Sequence, residues 1–455
     1  MRLRFILTLA TILGVTALHP QTQVPVIGQD AAAVSPTEEA VSPAEPAEEP
    51  AGKEPTADNS VPKIDATLDG PLVGPLDGRD GRDLSLRLFQ AKSKLVVPQS
   101  PLTRASLPVI DVHTHFFYKL RHNEQALIDY VAMMDRNSIA VSISLDGQLG
   151  DQLDRHIEFL WTAYKDRFAI FANVDWRGDG AIDDPSTWAC QRPGFAERTA
   201  AELAEAVKRG VCGLKIFKQL GLGYRDPGGK LLQIDDTRWD PIWKECGKHG
   251  IPVLIHTGDP PSFFDPIDQT NERWEELSRH PDWSFHDPKF PRLEQLFEAR
   301  NRVIAKHPQT LFIGAHVASG SEDLALVSQW LDAYPNLFLD ISSRISELGR
   351  QPYSAHDFLI KYADRVLFGT DGPWPEERLR YYWRFLETRD QHFPYSEKTP
   401  PPQGLWAIYG VELPEDVLRK IYSENAVRLI PGVASRLEKW IAKTAAESKG
   451  ALSKP

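Results

Sequence analysis

The sequence is poor in cysteine and lacks an excess of basic residues, and both shortages exclude classes of function. Its 455 residues include three cysteines, Cys190, Cys212 and Cys246, which are odd in number and widely spaced. Such a set forms no disulfide framework and argues against a thiolate zinc site, so any metal must rely on His, Asp, Glu or Lys. Lys and Arg number 52 against 63 Asp and Glu, for a formal net charge of −11. This balance argues against a nucleic-acid partner, because phosphate binding needs clustered cations.

The N-terminal apolar run is too short to span a bilayer, which takes about 20 residues. It extends from Phe5 to Val15, follows Arg2 and Arg4, and precedes small residues that end at Ala17. This order predicts a signal peptide over residues 1–17. We therefore expect an exported protein, periplasmic or extracellular, with no membrane span in its mature form.

A long segment after the signal peptide lacks aromatic residues and any apolar period. It is rich in Ala, Pro, Glu and Ser. Such a composition buries too little surface to offset the entropy of ordering. We therefore predict a disordered acidic linker over residues 18–80, a folded domain over 81–440 and a C-terminal tail over 441–455. Apolar residues make up 42% of the whole chain, which allows a substantial core.

Beyond the linker, short apolar runs alternate with amphipathic segments of helical period. The runs cover residues 107–115, 139–145, 168–176, 211–217, 251–256, 311–316, 337–342 and 366–371. Eight strands alternating with helices predict an α/β protein with a (β/α)8 TIM-like barrel. A doubly wound open sheet is the alternative, although no Gly-rich phosphate loop follows the first run. Insertions at about 257–291 and 373–413 follow the fifth and eighth runs, which places them at the C-terminal face that carries a barrel's active site.

Polar side chains stand where several of these apolar runs end. The first run ends in "DVHTH", and because side chains alternate along a strand, His113 and His115 should share one side with Asp111 and Val109. The other such residues are Lys215 of the fourth run, His256 of the fifth, His316 of the sixth and Asp371 of the eighth. Each would be costly to bury in an apolar barrel without a partner. Imidazole and carboxylate groups are ligands that zinc and similar divalent ions accept.

Taken singly, these residues have simpler explanations. One histidine alone is more often a hydrogen-bonded structural residue, His316 can be read in that way, and Lys215 can be an ion-paired residue at a strand end. The coincidence of His113, His115, His256 and Asp371 at matching strand ends favours a metal site.

Several stretches together resemble the amidohydrolase superfamily, in particular the branch typified by aminocarboxymuconate-semialdehyde decarboxylase. They are "DVHTHF" at 111–116, "VLIHTG" at 253–258, "FIGAHVASG" at 312–320, "RVLFGTDGPW" at 365–374 and "IYSENAVRLI" at 421–430. The resemblance covers roughly residues 105–432. It implies a distorted barrel that holds a divalent ion, zinc by expectation, at its C-terminal mouth.

The resemblance also implies roles for individual residues. His113, His115, His256 and Asp371 would hold the ion, and His316 would act as an acid or base or as a ligand of a second ion. The stretch "GLKIF" departs from the mononuclear pattern and is similar to members in which a carboxylated lysine bridges two ions. Lys215 is therefore either such a bridge or a substrate-binding cation, and one or two ions are expected.

Two reactions are compatible with such a site. In hydrolysis of an amide, ester or lactone, Asp371 takes a proton from metal-activated water and His316 assists as an acid or by stabilising the oxyanion. Non-oxidative decarboxylation on the same scaffold is the alternative. Arg344 is a candidate anchor for a substrate carboxylate, with a surface ion pair as the competing explanation. Trp374 is a candidate pocket wall, although loop packing explains it equally well.

A catalytically silent binding domain is the hypothesis from another class, and the intact set of polar strand ends argues against it. We expect a small-molecule substrate, and homo-oligomerisation stays open. The insertions that would shape the substrate pocket are the least readable part of one sequence.

Overall fold

The structure, a computed structural model, describes residues 92–452 together with Ala33 and Val34. The predicted signal peptide over 1–17 and nearly all of the predicted linker over 18–80 lie outside the described residues. Ala33–Val34 pairs in parallel with Arg177–Gly178. Among the described helices, none combines the length and the apolar character needed to cross a membrane.

Eight parallel strands form one sheet in the described part of the chain. They are β1 (Val109–Thr114), β2 (Ile139–Gln148), β3 (Phe168–Asn173), β4 (Leu214–Ile216), β5 (Val253–Ile255), β6 (Phe312–Gly314), β7 (Leu337–Asp340) and β8 (Val366–Leu367). Each strand pairs with the next strand in sequence. The segment after β8 returns to β1, where the Asp371 amide donates to the His113 carbonyl at 2.8 Å. The sheet is thus a nearly closed barrel, which confirms the predicted fold class.

Helices follow the strands and cover the outside of the barrel. The helices labelled here are α1 (Glu124–Arg136), α2 (Asp151–Tyr164), α3 (Phe195–Lys208), α4 (Asp240–His249), α5 (Leu293–Lys306), α6 (Leu324–Ala333), α7 (Pro352–Lys361), α8 (Glu376–Glu387), α9 (Glu415–Arg419), α10 (Asn425–Leu429) and α11 (Val433–Leu452). Single turns of helix are Phe116–Leu120, Gln219–Leu222, Trp274–Leu277, Ala315–Ala318 and Ile345–Leu348, and a π-helical turn covers Lys420–Glu424. The predicted C-terminal tail begins inside α11.

Capping residues define several helix ends. The Asn123 side chain accepts a hydrogen bond from the Ala126 amide and begins α1. α4 ends at Gly250, whose φ of 62° is readily adopted only by glycine. These two helix ends therefore have ordinary local causes.

Two apolar clusters make up most of the core. One contains residues from β1 to β3 and β5 to β8, Cys212 just before β4, and residues of α10 and α11, and it fills the barrel interior. The other joins the outer faces of the strands to the crossover helices. Lys215, Leu254, Ile313 and Phe338 are register partners on adjacent strands, so Lys215 also faces inward. A lysine at this inner level needs a polar partner at the mouth.

The predicted alternation of side chains along β1, with His113 on the same side as Val109, is wrong. Ile110 and Val112 belong to the interior cluster, whereas Val109 belongs to the outer one. The pairing of β1 with β2 shifts register between Val109 and Ile110 and again between Asp111 and Thr114. This irregularity allows His113 to enter the mouth of the barrel directly after the inward-facing Val112.

Candidate active site

The candidate site lies where the barrel strands end at their C-terminal face. One cavity of about 50 Å³ is lined there by residues of several strand ends and of both insertions. Seven sequence-predicted residues line this cavity: His113, His115, Lys215, His256, His316, Arg344 and Asp371. The structure thus brings together groups that are up to 258 positions apart in the chain, counted from His113 to Asp371.

His113 is oriented by a buried carboxylate at the end of β7. Its Nδ1 lies 2.9 Å from Asp340 Oδ2. An ionised carboxylate only accepts, so we infer that Nδ1 carries the proton and that Nε2 presents its lone pair to the cavity. Burial and the neighbouring Lys215 lower the pKa of His113 to about 4. The ring is therefore neutral at physiological pH, which is the form that binds metal ions.

His115 has an equivalent carboxylate on β2. Its Nδ1 lies 2.7 Å from Asp146 Oδ1, while Asp146 Oδ2 accepts a hydrogen bond from the Phe117 amide at 2.9 Å. The opposite nitrogen, Nε2, lies 3.3 Å from Asp371 Oδ1. Burial alone would lower the pKa of His115, but Asp146 and Asp371 outweigh it and raise that pKa. His115 thus faces the same carboxylate oxygen as His113.

His316 follows β6 in a left-handed turn. His316, Val317, Ala318 and Ser319 all have φ between 54° and 58°. His316 Nδ1 lies 2.9 Å from the carbonyl oxygen of Ser342, which can only accept, so Nε2 carries no proton and points into the cavity. Burial and the nearby His256 hold the pKa of His316 well below its usual value. In this tautomer His316 is a ligand or a proton acceptor rather than an oxyanion donor.

Asp371 stands at the centre of the group. Its Oδ1 lies 3.3 Å from His115 Nε2 and 3.6 Å from His113 Nε2. Its Oδ2 accepts a hydrogen bond from the Ser343 hydroxyl at 3.2 Å. Although burial opposes ionisation, the hydrogen bond to His115 and the charges of His113 and Lys119 hold the pKa of Asp371 well below its usual range. The carboxylate is therefore ionised.

His256 and Lys215 complete the set from β5 and β4. His256 Nε2 is buried and has no hydrogen-bond partner among the described residues. The His256 ring lies 4.5 Å from the His316 ring. Lys215 is 1% exposed, and its Nζ lies 3.3 Å from His113 Nε2. Burial lowers the pKa of Lys215 to about 8, despite the opposing charge of Asp371.

These donors fit a divalent cation. One ligand atom from each of His113, His316 and Asp371 lies within 4.8 Å of the other two. The orphaned nitrogen of His256 and the Asp371-facing nitrogen of His115 add two more donors beside that trio. Imidazole nitrogens, two of them on rings backed by a carboxylate, together with one ionised carboxylate, are a donor set that divalent zinc, manganese or cobalt accepts once the imidazoles are unprotonated. The ion that the family resemblance implies is therefore compatible with the residues present.

Arg344 follows β7 and also lines the cavity. It is 6% exposed, and one guanidinium nitrogen donates to the Ser343 carbonyl at 2.7 Å. Among the described residues no carboxylate lies within ion-pair distance of its guanidinium, although the charge of Arg344 acts on the nearby Glu322. A buried guanidinium in this position has N–H groups available to an anionic ligand.

Trp374 lies apart from the residues that line the cavity. Its ring is 3.4 Å from Lys119 Nζ and 4.0 Å from the Arg378 guanidinium carbon. Its indole nitrogen donates to the Thr370 carbonyl at 2.8 Å. Trp374 thus supports the turn that carries Asp371, and its contact with substrate stays a prediction.

Sequence reasoning missed several residues that support the site: Asp146, Lys218, Asp259, Asp340, Ser342 and Ser343. Asp146 and Asp340 stand at or near the C-terminal ends of β2 and β7, so they carry the same signal that identified His256. Asp259 follows His256 by three positions. Ser342 and Ser343 had no comparable signal, because their part depends on the local backbone.

Comparison with solved structures finds proteins of barrel type at low identity. The 2,6-dihydroxybenzoate decarboxylase from Rhizobium is 17% identical, with a TM-score of 0.42 over 71% of this chain and 98% of that one. A candidate 2-pyrone-4,6-dicarboxylic acid hydrolase from Acinetobacter baumannii is 12% identical, with a TM-score of 0.38 over 70% and 98%. A dihydroxybenzoic acid decarboxylase from Polaromonas, with bound manganese, is 17% identical, with a TM-score of 0.41 over 71% and 96%.

Sequence comparison is more decisive about the family. No curated protein matches the chain significantly. The sequence profile described as Amidohydrolase matches residues 110–432, which is more than half of the chain and includes every strand-end residue of the site. The first strand with its paired histidines, the barrel and the last strand with its aspartate all lie within that match. The chain therefore belongs to the Amidohydrolase family.

Proposed function

We propose that the protein is a hydrolase that uses a divalent cation, zinc by expectation, to cleave an amide, ester or lactone bond of a small organic molecule. The arrangement around Asp371 carries this proposal. One carboxylate oxygen faces His113 and His115, and the other is held by Ser343. A carboxylate fixed in this way is suited to accept a proton beside a cation.

The cation would be held by His113, His115, His256 and Asp371. When bound, it would supply Lewis acidity that activates water near neutral pH and polarises the carbonyl group under attack. Asp340 and Asp146 keep the His113 and His115 nitrogens directed at this position. The binding geometry is thus built into the folded chain.

Asp371 would act as the proton carrier. It accepts a proton from the attacking water and delivers it to the leaving group. The Ser343 hydroxyl occupies Oδ2, so Oδ1 stays directed towards the reacting centre. His316, neutral and with Nε2 exposed to the cavity, would bind a cation or accept a proton on the opposite side.

Decarboxylation is the second candidate, and Arg344 is the observation that favours it. A buried guanidinium without a carboxylate partner suits a substrate that carries its own carboxylate. In this reaction the bond between the carboxylate and the substrate carbon breaks, carbon dioxide leaves, and the carbon takes a proton that Asp371 or His316 has first accepted from water. Arg344 would orient such a substrate, or the carboxylate of a hydrolysable one.

Isotope labelling separates the two reactions. We would incubate the cation-loaded enzyme in ¹⁸O-water with a panel of esters, lactones, anilides and aromatic carboxylates. A hydrolase places one ¹⁸O atom in the acid product, whereas a decarboxylase releases carbon dioxide and forms no new carboxylate. Carbon dioxide release without ¹⁸O in the organic product would contradict hydrolysis and support the second candidate.

Asp371→Asn tests the proposed role of the carboxylate in either reaction. We expect turnover to fall by at least about 100-fold, because the amide accepts protons poorly. Asp332→Asn is a suitable control, since that aspartate is exposed and pairs with Lys361 far from the cavity. An Asp371→Asn enzyme with the turnover of the wild type would contradict the mechanism.

The number of ions depends on Lys215. Its Nζ lies 3.3 Å from His113 Nε2, one of the proposed ligand atoms. A carboxylated lysine would bridge two ions, and a free lysine would instead face the substrate beside one ion. Counting ions per chain in the wild type and in Lys215→Ala distinguishes these arrangements. The substitution removes an ion from the protein only if Lys215 bridges two ions.

Export is part of the proposal. The predicted signal peptide over residues 1–17 places the activity in the periplasm or outside the cell. Mass spectrometry of the mature protein tests this point: the N-terminus should be Leu18, and a chain that retains Met1 would contradict it.

A further inference from the structure

Asp259 and Lys218 form a buried ion pair that the mechanism above does not use. Lys218 Nζ lies 2.5 Å from Asp259 Oδ2, and the two side chains are 4% and 7% exposed. Asp259 belongs to the first insertion and lines the cavity together with His256 and His316. A charged pair at this depth is costly to bury, so it needs either a structural or a functional reason.

The second oxygen of Asp259 is directed at His256. Asp259 Oδ1 lies 3.6 Å from His256 Nε2, which is longer than a hydrogen bond. That nitrogen is buried and has no hydrogen-bond partner in the described part of the chain. His256 Nε2 and Asp259 Oδ1 therefore face each other at the cavity at a separation slightly longer than a hydrogen bond.

A separation of this size suits two donors that share one cation. Zinc binds imidazole nitrogen and carboxylate oxygen at about 2.0–2.2 Å, and in a five-coordinate site two neighbouring donors are then roughly 3.0–3.6 Å apart. The observed 3.6 Å lies at the upper end of that range. The orphaned nitrogen and the carboxylate are thus spaced like partners in one coordination shell.

We propose that Asp259 is a further ligand of the divalent cation through Oδ1, shared with His256, while Lys218 pairs with Oδ2 and offsets the buried negative charge. This inference rests on the proposed function, because it requires the same centre to bind a cation. The proposed ligands would then include a residue of the first insertion in addition to Asp371 and the histidines. Residues of that insertion would then take part in cation binding as well as in shaping the mouth.

A purely structural ion pair is the competing explanation. Substitutions of the two members of the pair distinguish it from the proposal. If the pair is structural, removing either member destabilises the fold and leaves cation affinity unchanged. If Asp259 is a ligand, removing its charge weakens binding. Removing Lys218 does not, because loss of a neighbouring positive charge favours cation binding.

Cobalt(II) titration provides the test, because the visible absorption of the bound ion reports its ligands. The full-length chain would be stripped with a chelator and titrated with cobalt as wild type, Asp259→Asn, Asp259→Glu and Lys218→Met. Asp265→Asn is the matched control, since Asp265 is an exposed aspartate of the same insertion that does not line the cavity.

We expect Asp259→Asn to weaken cobalt binding by at least about tenfold and to change the absorption band. Asp259→Glu should restore part of the affinity, which covers the case in which Asp259→Asn fails to fold. Lys218→Met should bind at least as tightly as the wild type, and Asp265→Asn should match it.

Wild-type affinity and an unchanged band in Asp259→Asn would overturn the inference and leave the proposed function intact. Weakening in Lys218→Met equal to that in Asp259→Asn would also overturn it, because affinity would then depend on the intact pair rather than on Asp259 as a ligand. A wild type that binds no cobalt would contradict the proposed function itself.

Discussion

At the level of single residues, two buried carboxylates decide which nitrogen each histidine of "HTH" presents to the cavity. Asp340 holds Nδ1 of His113, and Asp146 holds Nδ1 of His115. Asp340 also accepts hydrogen bonds from the His316 and Ser342 amides. Carboxylates behind ligating histidines fix the ring orientation and raise ligand basicity.

Replacing either carboxylate should therefore weaken cation binding without removing a ligand. We expect Asp340→Asn and Asp146→Asn to lower the affinity by about 10–100-fold. Competition with a coloured chelator measures this change. Asp332→Asn again serves as the control, and wild-type affinity in both of the buried variants would contradict the assigned orientation of the rings.

His156, which lies outside the cation site, should make the stability of the fold depend on pH. It lies buried on α2, with Nε2 2.7 Å from Ser144 Oγ and Nδ1 3.1 Å from His122 Nε2. Burial lowers the pKa of His156 to about 4, below its ordinary 6.5. The unfolded chain therefore binds a proton that the folded chain resists. This contribution to stability is present above about pH 6.5 and is lost as the pH falls towards 4.

The His156→Gln variant isolates this effect. Between about pH 7.5 and about pH 5, the free energy of unfolding of the wild type should fall by about 2 kcal/mol more than that of the variant. Urea unfolding at the two pH values measures the difference. Equal losses in the two proteins would show that His156 does not carry the effect.

The chemistry-bearing residues were predictable from one pattern, namely polar side chains at the ends of apolar runs. That pattern identified His256, His316 and Asp371, and it applies equally to Asp146 and Asp340. Ser343 and Ser342 were not predictable, because their contribution depends on backbone geometry. Asp259 needed the folded insertion to place its carboxylate beside His256.

At the level of elements, the site depends on left-handed turns that no glycine in the sequence predicts. His316, Ser343 and Asp371 have φ of 58°, 51° and 64°, although none is glycine. Such conformations are costly for residues with a side chain, and they occur where the surrounding structure holds a functional group in place. Here they aim three side chains into the cavity directly after their strands.

The two insertions meet over the cavity through Arg273. Its guanidinium pairs with Glu276 at 2.7 Å and with Glu347, and it lies 5.9 Å from the Trp406 ring of the second insertion. Arg273 is 1% exposed. The small cavity beneath it implies that the mouth loops must move to admit a substrate much larger than water.

Breaking this network should loosen the mouth and destabilise the fold. We expect Arg273→Met to lower the free energy of unfolding by roughly 3–5 kcal/mol, because it removes the guanidinium that pairs with the buried Glu347 carboxylate. Limited proteolysis should then cut first within residues 257–291. Arg302→Met is the control, since its pair with Asp235 is half-exposed and worth about 0–1 kcal/mol.

Equal stability of Arg273→Met and Arg302→Met would contradict this assignment.

The strands were predictable because their apolar runs are short and regularly spaced, although most runs were predicted a few residues too long. The insertions were not predictable, because their structure depends on ion pairs and ring contacts between distant segments rather than on a local period.

At the level of the whole molecule, the barrel follows from the alternation of eight apolar runs with amphipathic segments. The reaction does not follow from it, because one barrel supports many reactions. What the chain adds is a specific set of donors at one mouth, and the central claim is that this set binds a divalent cation.

Metal content per chain tests that claim most directly. Plasma mass spectrometry of the purified protein, after loading with zinc and removal of excess, should find one or two ions per chain. The double variant His113→Asn with His115→Asn should lose them while keeping the circular dichroism of the wild type. A wild type without bound metal, or a double variant that retains the same number of ions, would contradict the account.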